Sequence, residues 1–198
     1  MKLSNKFTFT RIAYAPILFL LYYIPIWTGK FAFASLIIAL PLLLFAEFTD
    51  YLDGHYARKH NEVGDFGKLF DPFADVILHL TSFVCLMQSY KEGYSYIPSF
   101  LFLLIMLREF SQNFLRMVAA KKGTAIAARK GGKLKTVMYI VAEFYAMLME
   151  LCVRTGIEIS YFDALHVGAV VLFVICTVLS YVSFIDYLVH FGKILKEE

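Results

Sequence analysis

The sequence predicts an all-α integral membrane protein, and three observations support this fold class. Of the 198 residues, 60% are hydrophobic and only 18% are charged, whereas a soluble domain carries about 25% charged residues. The mean hydropathy of the chain is +0.65. The apolar residues also gather into windows of about 20, the length that a helix needs to cross a bilayer core about 30 Å thick.

Six such windows predict six transmembrane helices, which cover residues of about 12–29, 31–53, 72–90, 96–119, 134–153 and 164–190. The connections between these spans are short, except around 54–71 and 120–133. The sequence shows no repeat, no low-complexity tract and no second polar block. Residues 1–198 are therefore predicted to form a single membrane domain.

The first three spans carry features expected of membrane helices. The first ends in Tyr22, Tyr23 and Trp27, and such aromatic residues favour the membrane–water interface. The second runs directly into a pair of aspartates. The third begins at Pro72, and proline suits the first turn of a helix.

The fourth and fifth spans contain basic residues that need an explanation. Arg108 and Arg116 lie in an otherwise apolar fourth span, and an arginine inside a membrane helix generally faces a cavity or a charged partner. Lys133 and Lys135 stand at the start of the fifth span. These four cations predict a site for an anionic ligand, with anchoring at the membrane surface as the alternative for the two lysines. The sixth span is a generic apolar helix.

The basic residues also predict the orientation of the chain, because Lys and Arg of short loops are held on the cytoplasmic side. With the N-terminus inside, the basic residues on the cytoplasmic face are Lys2, Lys6, Arg11, Arg58, Lys59, Lys68, Lys121, Lys122, Arg129, Lys130, Lys133, Lys135, Lys193 and Lys196. Only Lys30, Lys91 and Arg154 fall on the opposite face. This distribution suits contact with anionic lipid headgroups, and nothing beyond positive charge indicates nucleic acid binding.

Four aspartates flank the loop between the second and third spans. If the second helix continues through residue 57, Asp50 and Asp53 share one face of it, and Asp71 and Asp75 share one face of the third. Carboxylates so close together at the edge of a low-dielectric region repel one another unless a cation compensates them. Carboxylate oxygens prefer Mg²⁺ or Mn²⁺ to zinc or copper, and four of them suit a pair of divalent ions, as in phosphoryl transfer.

The residues between the aspartates predict a phosphate-bearing ligand. Arg58 offers a bidentate fork for phosphate. Gly54 and Ala57 keep the helix surface low, so that a ligand can approach the backbone. His79 follows Asp75 by one turn and could tune it, although a single histidine on an apolar face is usually a core residue.

The segment DYLDGHYARKHNEVGDFGKLFDPFAD, residues 50–75, resembles the signature of the CDP-alcohol phosphatidyltransferases, D-x2-D-G-x2-A-R-x8-G-x3-D-x3-D. The matching residues are Asp50, Asp53, Gly54, Ala57, Arg58, Gly67, Asp71 and Asp75. Members of this family have six transmembrane helices, which agrees with the number of apolar windows. The resemblance therefore implies the family fold as well as its chemistry.

Two further segments are similar to those family members that use glycerol 3-phosphate. The segment NKFTFTRIAYAP, residues 5–16, matches the start of these proteins. It is expected to form a short interfacial helix before the first span. REFSQNFLR and GGKLKT match in the fourth and fifth spans. The residues that carry these matches are Asn5, Thr8, Arg11, Pro16, Arg108, Glu109, Arg116, Gly132, Lys133, Lys135 and Thr136. The chain departs from the usual pattern at Phe70, where leucine is common, and at Val76, where lysine is common.

The resemblance implies that the phosphatidyl group of CDP-diacylglycerol is transferred to sn-glycerol 3-phosphate, giving phosphatidylglycerophosphate and CMP. It implies two Mg²⁺ or Mn²⁺ ions held by the four aspartates, with Asp75 also acting as the base. It assigns the CDP-diacylglycerol site to Asp50, Asp53, Gly54, Ala57, Arg58, Gly67 and Thr8, and the acceptor phosphate to Arg108, Arg116, Lys133 and Lys135. It further implies a homodimer in the bacterial inner membrane, with the active site facing the cytoplasm.

Several alternatives remain open from the sequence. The same family includes synthases of phosphatidylinositol phosphate, phosphatidylserine and cardiolipin, which differ in the acceptor alcohol. Intramembrane prenyltransferases also use paired aspartate motifs, but they usually need more helices than this chain can form. A divalent-cation transporter could use the carboxylates as its ion site.

Overall fold

The computed structural model describes the backbone of residues 3–59, 65–123 and 130–192, and the side chains of residues 7–49, 67, 69–123 and 131–192. Within these ranges the protein is all helical. The six helices are α1 (Leu3–Thr28), α2 (Ala32–Lys59), α3 (Asp65–Leu86), α4 (Ser99–Lys121), α5 (Lys130–Thr155) and α6 (Phe162–Phe191). Each predicted span overlaps one of them, so the predicted all-α architecture is confirmed. The third span differs most, because α3 begins at Asp65, before Pro72, and ends at Leu86 and not at residue 90.

The N-terminal segment differs from the prediction in one detail. The structure has one continuous helix, α1, where a short interfacial helix before the first span was expected. Thr8 and Arg11 explain the difference, because both side chains are fully buried and both contact aspartates of α3. These polar contacts fix the first turns of α1 against the bundle and keep them in line with the span. α1 ends at Gly29, whose φ of +69° is a conformation that glycine adopts without strain.

Five of the six helices are long and apolar enough to cross a membrane. The exception is α4, which at 23 residues is long enough to span but buries Arg108, Glu109 and Gln112. Its opposite side exposes Phe100, Leu103, Leu107, Phe110, Phe114 and Met117. α4 therefore presents an apolar surface outwards and a polar one to the interior, as a helix does when it lines a cavity inside a membrane.

The core of the bundle is built from large apolar and aromatic side chains. Phe83 of α3 lies at its centre, with its ring centroid 5.1 Å from that of Tyr139 in α5 and 5.1 Å from that of Phe173 in α6. Leu36 and Leu43 of α2 are also fully buried. Edge-to-face aromatic pairs of this kind contribute about 0.5 to 1.5 kcal/mol beyond burial of their area, so this cluster holds α3, α5 and α6 together.

A polar network closes the end of the bundle that contains the loops at 29–31, 87–98 and 156–161, called the distal end below. Arg154 Nε donates to Glu150 Oε1 at 2.8 Å, Nη1 to Ser35 Oγ at 3.1 Å and Nη2 to the carbonyl oxygen of Tyr22 at 3.0 Å. All of these groups are buried. The guanidinium thus joins α5 to both α1 and α2.

The same network fixes the loop between α3 and α4. Glu150 accepts hydrogen bonds from Ser89 Oγ at 2.6 Å, from the Tyr90 amide at 2.8 Å and from the Tyr96 hydroxyl at 3.1 Å. Burial, and then the Glu150 carboxylate, raise the pKa of the Tyr96 hydroxyl, so it remains a proton donor. Every oxygen of the Glu150 carboxylate is paired, and the network is therefore structural.

Replacing Arg154 by methionine should destabilise the protein strongly. The Arg154→Met variant leaves the Glu150 carboxylate buried without a cation, which costs about 3 to 5 kcal/mol. We expect a large decrease in the thermal unfolding temperature of the purified protein in detergent, with Lys30→Met, an exposed cation of the same end, as the control. The additional change Glu150→Gln should restore part of the loss. An unfolding temperature for Arg154→Met equal to that of Lys30→Met would contradict this account.

Candidate active site

A cavity of about 520 Å³ lies at the end of the bundle where α3 and α5 begin and α4 and α6 end. Its walls are unusually polar for the interior of an apolar helix bundle. The polar side chains that line it are Asp71, Asp75, His79, Arg108, Glu109, Gln112, Arg116, Lys133, Lys135, Thr136, Tyr139 and Tyr187. The cavity therefore brings together two of the four predicted metal ligands and all four predicted acceptor-binding cations.

Thr8 and Arg11 of α1 orient the two aspartates of α3. Arg11 Nη1 forms a short ion pair with Asp75 Oδ1, and Arg11 Nη2 lies 3.9 Å from Asp71 Oδ1. Thr8 Oγ1 donates a hydrogen bond to Asp71 Oδ1 at 2.6 Å. The side chains of Asp71 and Asp75 remain 38% and 31% exposed. They are thus held in place from one side and open to the cavity from the other.

The other two aspartates lie on a part of α2 for which only the backbone is described. The helix continues to Lys59, so the expectation that it extends through residue 57 is confirmed, and Asp50 and Asp53 stand three residues apart on it. The side chains of Asp50, Asp53, Ala57 and Arg58, and the surroundings of Gly54, lie outside the described residues. Gly67 is placed in the first turn of α3. The meeting of all four carboxylates therefore stays a prediction.

Asp71 and Asp75 fit a hard divalent cation. Their donor atoms are carboxylate oxygens alone, which suit Mg²⁺ or Mn²⁺ better than softer metals. Both are open to a cavity through which an ion and its water ligands can enter. Thr8 and Arg11 fix the orientation of these carboxylates, as hydrogen-bonding neighbours of metal ligands commonly do.

Glu109 occupies the opposite wall and is surrounded by cations. Its Oε1 accepts from Arg108 Nη1 at 2.8 Å, from Lys135 Nζ at 2.8 Å and from the Tyr139 hydroxyl at 3.0 Å. Arg108 Nε also donates to the carbonyl oxygen of Ser180 in α6 at 2.8 Å. Two of the cations predicted to bind the acceptor phosphate are therefore paired within the protein. Two cations and one carboxylate nevertheless leave this group with a net charge of +1.

Gln112 and Arg116 stand one and two turns after Arg108 on the same face of α4. Gln112 is only 2% exposed, yet neither its amide nitrogen nor its amide oxygen has a hydrogen-bond partner among the described residues. Arg116 Nε is likewise without a hydrogen-bond partner there, and its guanidinium carbon lies 5.9 Å from the ring centroid of Tyr187. Lys133 is exposed at the cavity mouth. These three residues are better placed to bind a ligand than Arg108 or Lys135.

Two residues of this site, Arg11 and Gln112, were not given a role from the sequence, although the spacing of polar residues indicates both. Arg11 was noted only as part of a matching segment, and its spacing of three from Thr8 places both on one helix face. Gln112 lies midway between Arg108 and Arg116 at intervals of four. A polar residue at that position of an apolar span indicates that the face is directed inwards.

The comparisons with known proteins agree over most of the chain. The family model for CDP-alcohol phosphatidyltransferase matches residues 1–182. A relative from Treponema pallidum is 36% identical over 99% of this chain and 92% of its own length. A relative from Bacillus subtilis is 35% identical over 75% of this chain and 78% of its own length. Both are named CDP-diacylglycerol–glycerol-3-phosphate 3-phosphatidyltransferase.

Arg108 and Arg116 differ in their hydrogen bonds, so replacing each by methionine should change the free energy of unfolding by different amounts. Arg108→Met removes a buried guanidinium that satisfies Glu109 and Ser180, which should lower the free energy of unfolding by about 3 kcal/mol. Arg116→Met on the same helix should change it by less than about 1 kcal/mol, because Arg116 Nε donates no hydrogen bond to any of the described residues. Unfolding of the two variants by sodium dodecyl sulfate in mixed micelles would compare them directly, and equal losses would count against the pairing described here.

Proposed function

The chain belongs to the CDP-alcohol phosphatidyltransferase family, whose members are metal-dependent transferases, and we propose that it makes phosphatidylglycerophosphate. In this reaction the phosphatidyl group of CDP-diacylglycerol passes to sn-glycerol 3-phosphate and CMP is released. The observation that carries the proposal is the cavity. One wall presents the carboxylates of Asp71 and Asp75. The facing wall presents Gln112 and Arg116, whose polar atoms include some without a hydrogen-bond partner among the described residues.

The carboxylate wall is suited to the activated lipid. We propose that Asp50, Asp53, Asp71 and Asp75 would hold two Mg²⁺ or Mn²⁺ ions, with Gly54, Ala57, Arg58, Gly67 and Thr8 around the CDP moiety. When bound, such ions supply charge stabilisation for the diphosphate and for the departing CMP. Thr8 and Arg11 keep Asp71 and Asp75 in one orientation before the lipid arrives, which reduces the reorganisation needed in the transition state.

Asp75 is the proposed base. A base must lie within about 3 Å of the proton it removes, and the ion pair with Arg11 holds the Asp75 carboxylate in place from one side. Its partial exposure leaves room on the cavity side for the attacking hydroxyl. As that oxygen forms its bond to the phosphorus of the donor, its proton passes to Asp75 and the bond between phosphorus and the CMP oxygen breaks.

The opposite wall is suited to an acceptor that carries its own phosphate. Arg116 and Lys133 can contact the acceptor phosphate directly, while Arg108 and Lys135 supply a positive field through their group with Glu109. Gln112 has an amide donor and an amide acceptor available for the glycerol hydroxyls. A neutral or zwitterionic acceptor such as inositol or serine would leave this positive wall uncompensated, which favours glycerol 3-phosphate.

We further propose that the cavity faces the cytoplasm from a bacterial inner membrane. The described basic residues at the cavity end include Lys121, Lys122 and Lys133, whereas the distal end carries Lys30 and Lys91. This asymmetry follows the tendency of lysine and arginine to remain inside, and the cytoplasm is where glycerol 3-phosphate would be encountered. A homodimer is part of the same proposal and rests on the family resemblance.

The purified protein should release CMP from CDP-diacylglycerol when glycerol 3-phosphate and Mg²⁺ or Mn²⁺ are present. Inositol phosphate, inositol, serine and phosphatidylglycerol are the acceptors to compare, because they distinguish the other family activities. Turnover by detergent-solubilised protein needs no ion gradient, so it also separates the enzyme from a cation transporter. Activity with serine and none with glycerol 3-phosphate would refute the proposal.

Asp75→Asn should abolish turnover while retaining donor binding. The amide keeps the size of the side chain but cannot accept a proton from the hydroxyl, and removal of a general base typically lowers the rate by a factor of about 10² to 10⁴. Initial rates and binding of a CDP-diacylglycerol analogue would be measured on the same preparation. Full turnover in this variant would exclude Asp75 as the base.

Arg116→Met and Gln112→Leu should both weaken binding of the acceptor more than binding of the donor. Loss of the phosphate contact should raise the KM for glycerol 3-phosphate at least 10-fold, with a smaller change in the KM for CDP-diacylglycerol. Val137→Ala, which removes two methyl groups from the same cavity, is the control for a change of shape alone. Equal increases of the two KM values would indicate that Arg116 and Gln112 act only on the structure.

A further inference from the structure

Three acidic or imidazole side chains from three helices meet in the interior of the bundle. Glu47 of α2, His79 of α3 and Glu143 of α5 bring one donor atom each within 4.8 Å of one another. His79 Nδ1 lies 3.1 Å from Glu143 Oε2 and 3.7 Å from Glu47 Oε1. Donor atoms around one metal ion stand roughly 3 to 4 Å apart when each bond is about 2.1 Å long, so the two distances from His79 suit a shared ion.

Glu143 has few partners for its charge among the described residues. The side chain of Glu143 is fully buried and that of Glu47 is 13% exposed. Within the described part of the chain, His79 is the only basic side chain at ion-pairing distance from Glu143. A neutral imidazole would leave an ionised Glu143 carboxylate without a cation among these residues, and a buried unpaired charge is strongly destabilising.

The second oxygen of the Glu143 carboxylate gives separate support for a bound cation. Glu143 Oε1 is buried and has no hydrogen-bond partner among the described residues. An ionised carboxylate would leave this atom as an unsatisfied acceptor, and a carboxylic acid protonated there would leave an unsatisfied donor, so neither protonation state removes the cost. A bound cation would satisfy it.

We propose that Glu47, His79 and Glu143 form a divalent-metal site separate from the aspartates. One imidazole and two carboxylates suit Mn²⁺, Fe²⁺ or Zn²⁺ better than Mg²⁺, which prefers oxygen donors alone. His79 also lines the large cavity, which gives an ion a path to the cluster. Because the ligands come from α2, α3 and α5, a metal at this position ties three helices together next to the active site. The inference does not depend on the proposed acceptor.

Mn²⁺ bound at this site should have a nitrogen ligand, whereas the aspartates offer only oxygen. Electron spin-echo modulation of the purified protein loaded with Mn²⁺ should therefore show coupling to an imidazole ¹⁴N. The coupling should disappear in His79→Gln. It should persist in Asp71→Asn, which changes the neighbouring carboxylate site, and in His55→Gln/His60→Gln, which removes the two histidines of the signature segment, residues 50–75.

Metal content gives a second measurement that needs no activity. After removal of loosely bound ions, elemental analysis of the wild type should find about one equivalent of Mn²⁺, Fe²⁺ or Zn²⁺ that is lost in Glu143→Gln. Glu158→Gln, an exposed glutamate on the distal end, is the matched control, and thermal unfolding shows whether each variant is folded. Wild-type protein without ¹⁴N coupling, or with a metal content that Glu143→Gln does not change, would overturn the proposal.

Discussion

Burying charged side chains inside an apolar helix bundle is the constraint on which the rest of this structure depends. A lone charge in such surroundings is destabilising by several kcal/mol, so each one must find a partner of opposite charge. Arg11 is the clearest case. It is fully buried on α1, and its pairing with Asp75 and Asp71 aligns α1 with α3 and gives the cavity one of its walls.

Two kinds of polar group result from this constraint, and they differ in how completely their atoms are paired. At the distal end, Glu150 and Arg154 are satisfied by partners from four parts of the chain, and they stabilise the fold. In the cavity, Gln112 and Arg116 keep polar atoms that have no hydrogen-bond partner in the part of the chain that the structure describes. A protein retains such atoms at a cost to its stability, and binding a polar ligand is the simplest reason to retain them.

Much of the fold could be predicted from the sequence, because apolar windows of membrane length leave few alternatives to a helix bundle. The placement of Asp71, Asp75, Arg108 and Arg116 around one cavity also followed from the spacing of charged residues along the spans. The continuity of α1 did not, since it depends on a contact between residues more than 60 positions apart. The pairing of Lys135 with Glu109 was not predicted either, because it joins two helices over 26 positions and charge alone does not tell which cations are already neutralised.

The fifth helix shows most clearly what sequence patterns leave out. It was predicted only as an apolar span with basic residues at its start, yet Lys135, Tyr139 and Glu143 follow one another at intervals of four and line one inward face. Glu150 and Arg154 extend this polar face to the distal end. Lys135 and Tyr139 contact Glu109 of α4, and Glu143 contacts His79 of α3. Arg154 contacts α1 and α2. The polar face of α5 therefore joins it to four other helices. Along this face Glu150 is neutralised by an arginine and Lys135 by a glutamate. Glu143 instead meets a second carboxylate and a histidine, and it has no arginine or lysine at ion-pairing distance among the described residues.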